Sequence, residues 1–195
     1  MTRTRGFDED KVLAAALRLF WEKGYAATSL LDLEKGTGLN RTSLYNAFGN
    51  KRCLFKRCLA LYIGQVEVML DSIVGAAASS REAIKNWLAF VIDFSFNPET
   101  PGGCLVILSA LERHQHDLET KEMVAALFRR EREMVQNLLE KGVKQGELPP
   151  GCDCAGVAAA ITATTSGMVV MTMADTPESV LQEVSRTVMA LLAGN

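Results

Sequence analysis

At 195 residues, 48% hydrophobic and 23% charged, the chain has the makeup of an ordinary globular protein of one domain or two small ones. It has no apolar run of membrane-span length, no apolar h-region in MTRTRGFDEDK and an odd count of five cysteines, which argues against spanning, secreted and disulfide-stapled classes and for a reduced, cytoplasmic protein. The net charge of −2 is unevenly spread: residues 1–60 hold 11 Lys and Arg against 6 Asp and Glu, the remainder 10 against 17, so a basic end that meets phosphate sits on an acidic body.

Met1 to Gly6 is a short arm whose Arg3 and Arg5 suit a nucleic-acid groove or backbone, or a frayed terminus. Asp8 to Lys23 is predicted helical, with Val12, Leu13, Ala16, Leu19 and Phe20 as its apolar stripe and Gly24 at its end. Then comes TSLLDLEKGTGLNRTSLYNAFGNK, Thr28 to Lys51, which reads as two short helices with a tight turn between them. Thr28 is the expected cap of the first, and Gly38 follows it where positive φ is wanted. Asn40 caps a second helix running to about Phe48. Leu44, Tyr45 and Phe48 give that helix an apolar back; Arg41, Thr42, Ser43 and Asn46 give it a hydrogen-bonding front. A helix that reads bases in a DNA major groove needs this distribution.

The stretch LFWEKGYAATSLLDLEKGTGLNRTSLYNAFGNKRCLF resembles the amino-terminal domain of the TetR/AcrR family of bacterial transcriptional regulators. The resemblance rests on Phe20, Gly24-Tyr25, Thr28-Ser29, Gly38-Leu39, Leu44-Tyr45, Phe48-Gly49 and Lys51, in that order. One position departs: Glu34 stands where such motifs carry a small residue packed between the two helices, so its carboxylate either swings out to solvent or opens the helix crossing. The resemblance implies an all-α homodimer on a palindromic double-stranded DNA operator. Residues 1–50 would bind DNA and residues 51–195 would bind a small-molecule effector and dimerise. It further implies that Thr28, Ser29, Tyr45 and Lys51 contact phosphate, while Arg41, Thr42, Ser43 and Asn46 face the bases.

Past Asn50 a long helix is predicted from Lys51 to about Val74, joining the two parts without a flexible linker. Ser79 and Glu82 match a capping box for a helix reaching Phe96. A Pro- and Gly-rich loop follows, then helices over Cys104 to His114 and Asp117 to Gln145. The last two helices run from Ala155 to Met173, almost uncharged, and from Glu178 to Leu192, with Thr176 as cap and Pro177 at the first helical position. Ala159, Ala160, Ala163 and Gly167 allow close approach of backbones. With Leu181 and Val188 they suggest a four-helix dimer interface built from two helices of each subunit.

No catalytic constellation stands out, and neither an enzyme nor a cofactor is expected. Cys152 and Cys154 with His114 and His116 could hold a metal, but Cys-x-Cys alone is weak and surface residues are the plainer reading, so no metal site is assigned. Cys104 opens a helix after Pro101-Gly102-Gly103, and TPGGCLVILSALE resembles a TetR subgroup in which some members sense electrophiles or oxidants through a cysteine. Trp87, Phe90, Phe94, Leu108 and Phe128, with Cys104, are the candidate effector-binding residues, against the plainer reading of a packed core. Three functions therefore stand open: an effector-released repressor, a redox-sensing repressor acting through Cys104, and a helical interaction module that no longer binds DNA, for which Glu34 is the best support.

Overall fold

The computed structural model describes residues 7–192; Arg3 and Arg5 lie outside them. The described chain is all-helical. Its helices are α1 (Glu9–Ala27), α2 (Leu30–Thr37), α3 (Arg41–Phe48), α4 (Lys51–Ala76), α5 (Ser80–Phe96), α6 (Leu105–Leu111), α7 (Leu118–Lys144), α8 (Cys154–Thr172) and α9 (Glu178–Leu191), with a 3-10 turn at Arg113–Gln115. They form two compact units. The first, called the head, is built from residues up to 65 together with 104–123; the second, the body, from 66–103 and from 124 onward. Residues 104–123 are distant in sequence from the rest of the head, yet they pack with it.

In the head, α1 starts where the Asp8 carboxylate accepts hydrogen bonds from the backbone N–H groups of Asp10 and Lys11. Gly24 breaks the helix at φ 76, ψ 171, a conformation open essentially to glycine alone. Val12, Ala16, Leu17 and Phe20 of α1 are buried, as are Leu33, Leu44, Phe48, Phe55, Leu59 and Tyr62. The Phe20 ring meets the edge of Phe55 at 5.0 Å between centroids, and Trp21 meets Tyr62 at 4.9 Å.

In the body, α5 buries Ala83, Ile84, Trp87, Leu88, Val91 and Ile92 and packs against both α8 and α9. Leu127, Val135, Leu138 and Leu139 of α7 are buried at helical spacing. Leu181 of α9 is 0% exposed, which corrects its place in the expected dimer face: it belongs to the core of one subunit. From α8 to α9, Val170, Met171, Met173 and Leu191 are large apolar side chains left exposed. Two smaller expectations also shift. Thr176 does not cap α9; Pro177 takes the N-cap position itself, with no side-chain bond. Both α4 and α8 are long and apolar enough to cross a membrane, contrary to the reading that no stretch is. Each turns part of that apolar surface into protein: Leu54, Phe55, Cys58 and Leu59 on α4, and Ile161, Met168 and Val169 on α8, are buried.

Candidate nucleic-acid interface

The expected helix-turn-helix is present, with its caps in detail different from expectation. Ser29, not Thr28, is the N-cap of α2. Its hydroxyl accepts from the Asp32 N–H at 3.1 Å, and the Asp32 carboxylate accepts from the Ser29 N–H at 2.8 Å, a reciprocal capping box. Asp32 also pairs with Lys23 at 2.5 Å, and the Lys23 and Ser29 hydrogen bonds hold its carboxyl far below the usual carboxylate range. Thr28 is fully buried. Its hydroxyl donates to the Gly24 carbonyl at 2.6 Å, so it ties the entry to α2 back onto the end of α1.

Gly38 ends α2 at φ 69, and Asn40 caps α3 by accepting from the Ser43 N–H at 2.9 Å. Glu34 does not simply swing out to solvent. Its carboxylate reaches across the turn and accepts from the Arg41 N–H at 2.5 Å. The first turn of α3 therefore has two of its unpaired N–H groups satisfied, by residues from either side of the turn. The departure from the family's pattern thus braces the reading helix.

The two faces of α3 separate except at Tyr45, expected on the apolar back but no more than half-buried, like Ser43 of the front. Leu44 and Phe48 are buried, at 1% and 4% exposure. Arg41, Thr42 and Asn46 are exposed, and Ser43 and Tyr45 half-buried. The Arg41 guanidinium lies over the Tyr45 ring, 5.4 Å from its centroid, which holds both side chains along one edge of the polar front. At the start of α4 the Asn50 side chain accepts from the Cys53 N–H at 3.0 Å. Lys51 places its ammonium 4.5 Å from the centre of the Tyr25 ring. Partial burial there lowers its pKa, opposed by the charges of Glu112 and Asp32. One compact unit holds the polar α3 front and the Lys51 cation, chemistry suited to an exposed base edge and a phosphate backbone.

One functional feature escaped sequence reasoning. Glu112, at the C-terminal end of α6, accepts from the Tyr25 N–H at 2.7 Å and the Ala26 N–H at 3.0 Å. Gly24 suits the contact, because its φ of 76 disfavours a side chain and a Cβ there would stand 2.8 Å from the Glu112 Oε1, which would have to shift. The contact spans 87 residues, so no local pattern announces it; the lone acidic residue ending GGCLVILSALE was its one signal. Beside it His116 is buried against the rings of Tyr25 and Phe55, each centred 5.1 Å away, and its Nε2 has no hydrogen-bond partner among the described residues. Burial lowers its pKa, against the opposing charges of Glu112 and Asp117.

The candidate effector residues fall in different places. Trp87, Phe90 and Phe94 form an aromatic ladder along α5, with ring centroids 6.0 and 5.5 Å apart. Phe128 lines a cleft of about 320 Å³ with Arg129 and Arg132 of α7 and Ala159, Thr162, Ala163 and Ser166 of α8. Cys104 is the N-cap of α6, half-buried, and Leu108 lies one turn further along. No group of three or more His, Cys, Asp or Glu suited to a metal occurs among the described residues.

Residues 12–58 match the family model "Bacterial regulatory proteins, tetR family", and residues 80–188 match "Tetracyclin repressor-like, C-terminal domain". The HTH-type transcriptional repressor ComR of Escherichia coli is 29% identical over 167 residues, covering 85% of this chain and 80% of ComR. The HTH-type regulator YezE of Bacillus subtilis is 33% identical over 152 residues, 76% of each. A cysteine mutant of the regulator CifR, solved with 26-bp double-strand operator DNA, superposes with a TM-score of 0.86 at 28% identity, covering 96% of this chain and 98% of its own.

Proposed function

Since the chain belongs to the TetR family of bacterial transcriptional regulators, we propose that it is a cytoplasmic, homodimeric repressor that leaves a palindromic operator when a small molecule binds its body. The observation that carries this reading is α3: a helix of eight residues, capped from both sides of the turn, with its apolar side buried and Arg41, Thr42 and Asn46 presented outward. Among its relatives, CifR is solved on operator DNA. The division of labour is between residues 1–50, which read DNA, and the remainder, which senses and dimerises. The protein acts by binding, without a catalytic step. The helical-module alternative loses its main support, because Glu34 strengthens the reading helix.

In this reading Arg41, Thr42, Ser43 and Asn46 meet base edges, while Ser29, Tyr45 and Lys51 meet phosphate. Thr28, being buried, acts by holding the turn in place rather than by touching DNA. Val170, Met171 and Leu191 supply the dimer face in place of Leu181. The effector binds along the α5 ladder and the Phe128 cleft, and it shifts the equilibrium only if it favours the conformer with misplaced reading helices. A covalent route through Cys104 is favoured by one observation: Cys104 begins the same seven-residue helix that ends on Glu112 and the Tyr25 amide. Displacement of α6, itself part of the head, would then act on the Tyr25–Ala26 segment that Glu112 holds.

The test is operator binding by wild type, Arg41→Ala and Lys51→Ala across a salt series. Arg41→Ala is expected to lose about 1–3 kcal/mol at one operator position. Lys51→Ala is expected to weaken all sequences alike and to flatten the salt slope. Equal binding by all three proteins would remove α3 from the reading. Cys104→Ser separates the sensing routes: a variant that binds DNA but ignores alkylating agents supports the covalent one.

A further inference from the structure

We propose that Cys152 and Cys154 form a redox-active dithiol that closes to an intramolecular disulfide when oxidised by a hydroperoxide. This site is separate from Cys104 and does not rest on the repressor reading. The Cys154 N–H donates to the Cys152 carbonyl at 2.9 Å, an i to i+2 hydrogen bond. Between them Asp153 sits at φ −73, ψ 77, the geometry of an inverse γ-turn. Two virtual bonds of 3.80 Å limit the Cα separation of residues two apart to about 7.6 Å, and closing the turn shortens it. That brings the pair toward the roughly 4.4–6.8 Å span that disulfides use.

The turn is fixed on both sides. The Cys152 N–H donates to the Pro149 carbonyl at 3.1 Å, and the Asp153 carboxylate caps α8 by accepting from the Gly156 N–H at 3.0 Å. Both are free, half-buried cysteines, and the neighbouring Cys152 helps to raise the Cys154 thiol. Two cysteines joined by one closed turn are what distinguishes this pair from an isolated surface cysteine.

The chemistry balances with a hydroperoxide as the two-electron acceptor. One thiolate attacks a peroxide oxygen, the O–O bond breaks, and a sulfenic acid forms as the leaving oxygen takes up a proton. The second sulfur attacks the sulfenic sulfur, the S–O bond breaks, and water leaves. With hydrogen peroxide, two thiols and one peroxide become one disulfide and two waters. Burial, the Cys152 hydrogen bond and the neighbouring charges of Glu140 and Asp153 all raise the Cys154 pKa. Closure is therefore slow at neutral pH and faster as pH rises; a high-pKa thiol is also a slow leaving group, so the disulfide persists once made.

The test uses the full-length Cys53→Ser/Cys104→Ser protein, in which Cys58 stays silent because burial pushes its thiol up to about 12. The protein is treated with hydrogen peroxide, blocked with iodoacetamide and mapped by mass spectrometry without reduction. The expected result is one peptide holding both cysteines, lighter by two hydrogens and unalkylated, restored by dithiothreitol and formed faster at pH 8.5 than at pH 6.5. Adding Cys152→Ser or Cys154→Ser should abolish it, with circular dichroism confirming that each variant is folded. Four results would each overturn the proposal: two freely alkylated thiols, a link between chains, oxidation that stops at sulfinic acid on separate residues, or the same product in either serine variant.

Discussion

In the head, Glu112 accepts two backbone hydrogen bonds, at 2.7 and 3.0 Å, where Gly24 has broken a helix. In the body, Glu147 does the same for Ser80 and Arg81 at 3.4 and 3.2 Å, but there the helix is already capped by Ser79. The first glutamate partners the two amides that directly follow a break in a helix; the second supplements a cap. The units differ in the same sense elsewhere. Short helices in the head are held by polar caps, each of which fixes the direction of a helix of eight residues. Long helices in the body also carry caps, at Ser79 and Asp153, but bury longer apolar stripes. A DNA-reading unit needs fixed directions, whereas a sensing unit needs room to change.

The largest effect is expected from breaking the head's clamp. Gly24→Ala puts a side chain into a glycine-only conformation and against Glu112, and should cost about 3 kcal/mol of head stability. Glu147→Ala should cost less than about 1 kcal/mol, because Ser79 remains. Denaturant titrations with a probe in each unit check both; equal losses would erase the contrast between the two glutamates.

The next effect is in the body and depends on pH. Glu131 lies on the inward stripe of α7 between Leu127 and Val135, and burial raises its carboxyl from 4.5 to about 7. The unfolded chain ionises first, so the body should be at full stability below 4.5 and lose it as pH rises toward 7. Glu131→Gln should remove that slope and gain on the order of 2 kcal/mol at pH 8. An unchanged slope would place the carboxylate in solvent.

Smaller losses are expected at the caps. Ser29→Ala and Glu34→Ala should each cost about 1 kcal/mol, read as lowered hydrogen-exchange protection in α2 and α3 respectively. The smallest effect is that of His116, whose pKa is lowered by burial. Here the unfolded chain takes the proton first, so the head should keep its stability above about 6.5 and lose it as pH falls. His116→Gln should flatten this fall, opposite in sign to the Glu131 slope.

What the sequence made legible was local. Gly38, Asn40 and the Leu44–Phe48 spacing identify the turn and the reading helix because each acts within a few residues of itself. Ser29 and Thr28 are adjacent and both capable of capping; the choice between them turns on the break at Gly24, whose carbonyl takes the Thr28 hydroxyl four residues on. Glu34 looked like a misfit because its partner lies across the turn, seven residues on. Periodicity found the apolar face of α9, but could not say that Leu181 is covered within one subunit while Leu191 stays exposed. Glu112 needed the fold itself, since its partners lie in another part of the chain.

The central claim is that α3 reads DNA in a two-fold pair. The most direct measurement is selection of bound duplexes from a random pool by the purified protein, followed by sequencing. The account predicts one enriched motif with two inverted half-sites, whose conserved positions relax when Arg41→Ala is selected in parallel. A pool that stays random, or an enriched motif that Arg41→Ala leaves unchanged, would contradict it.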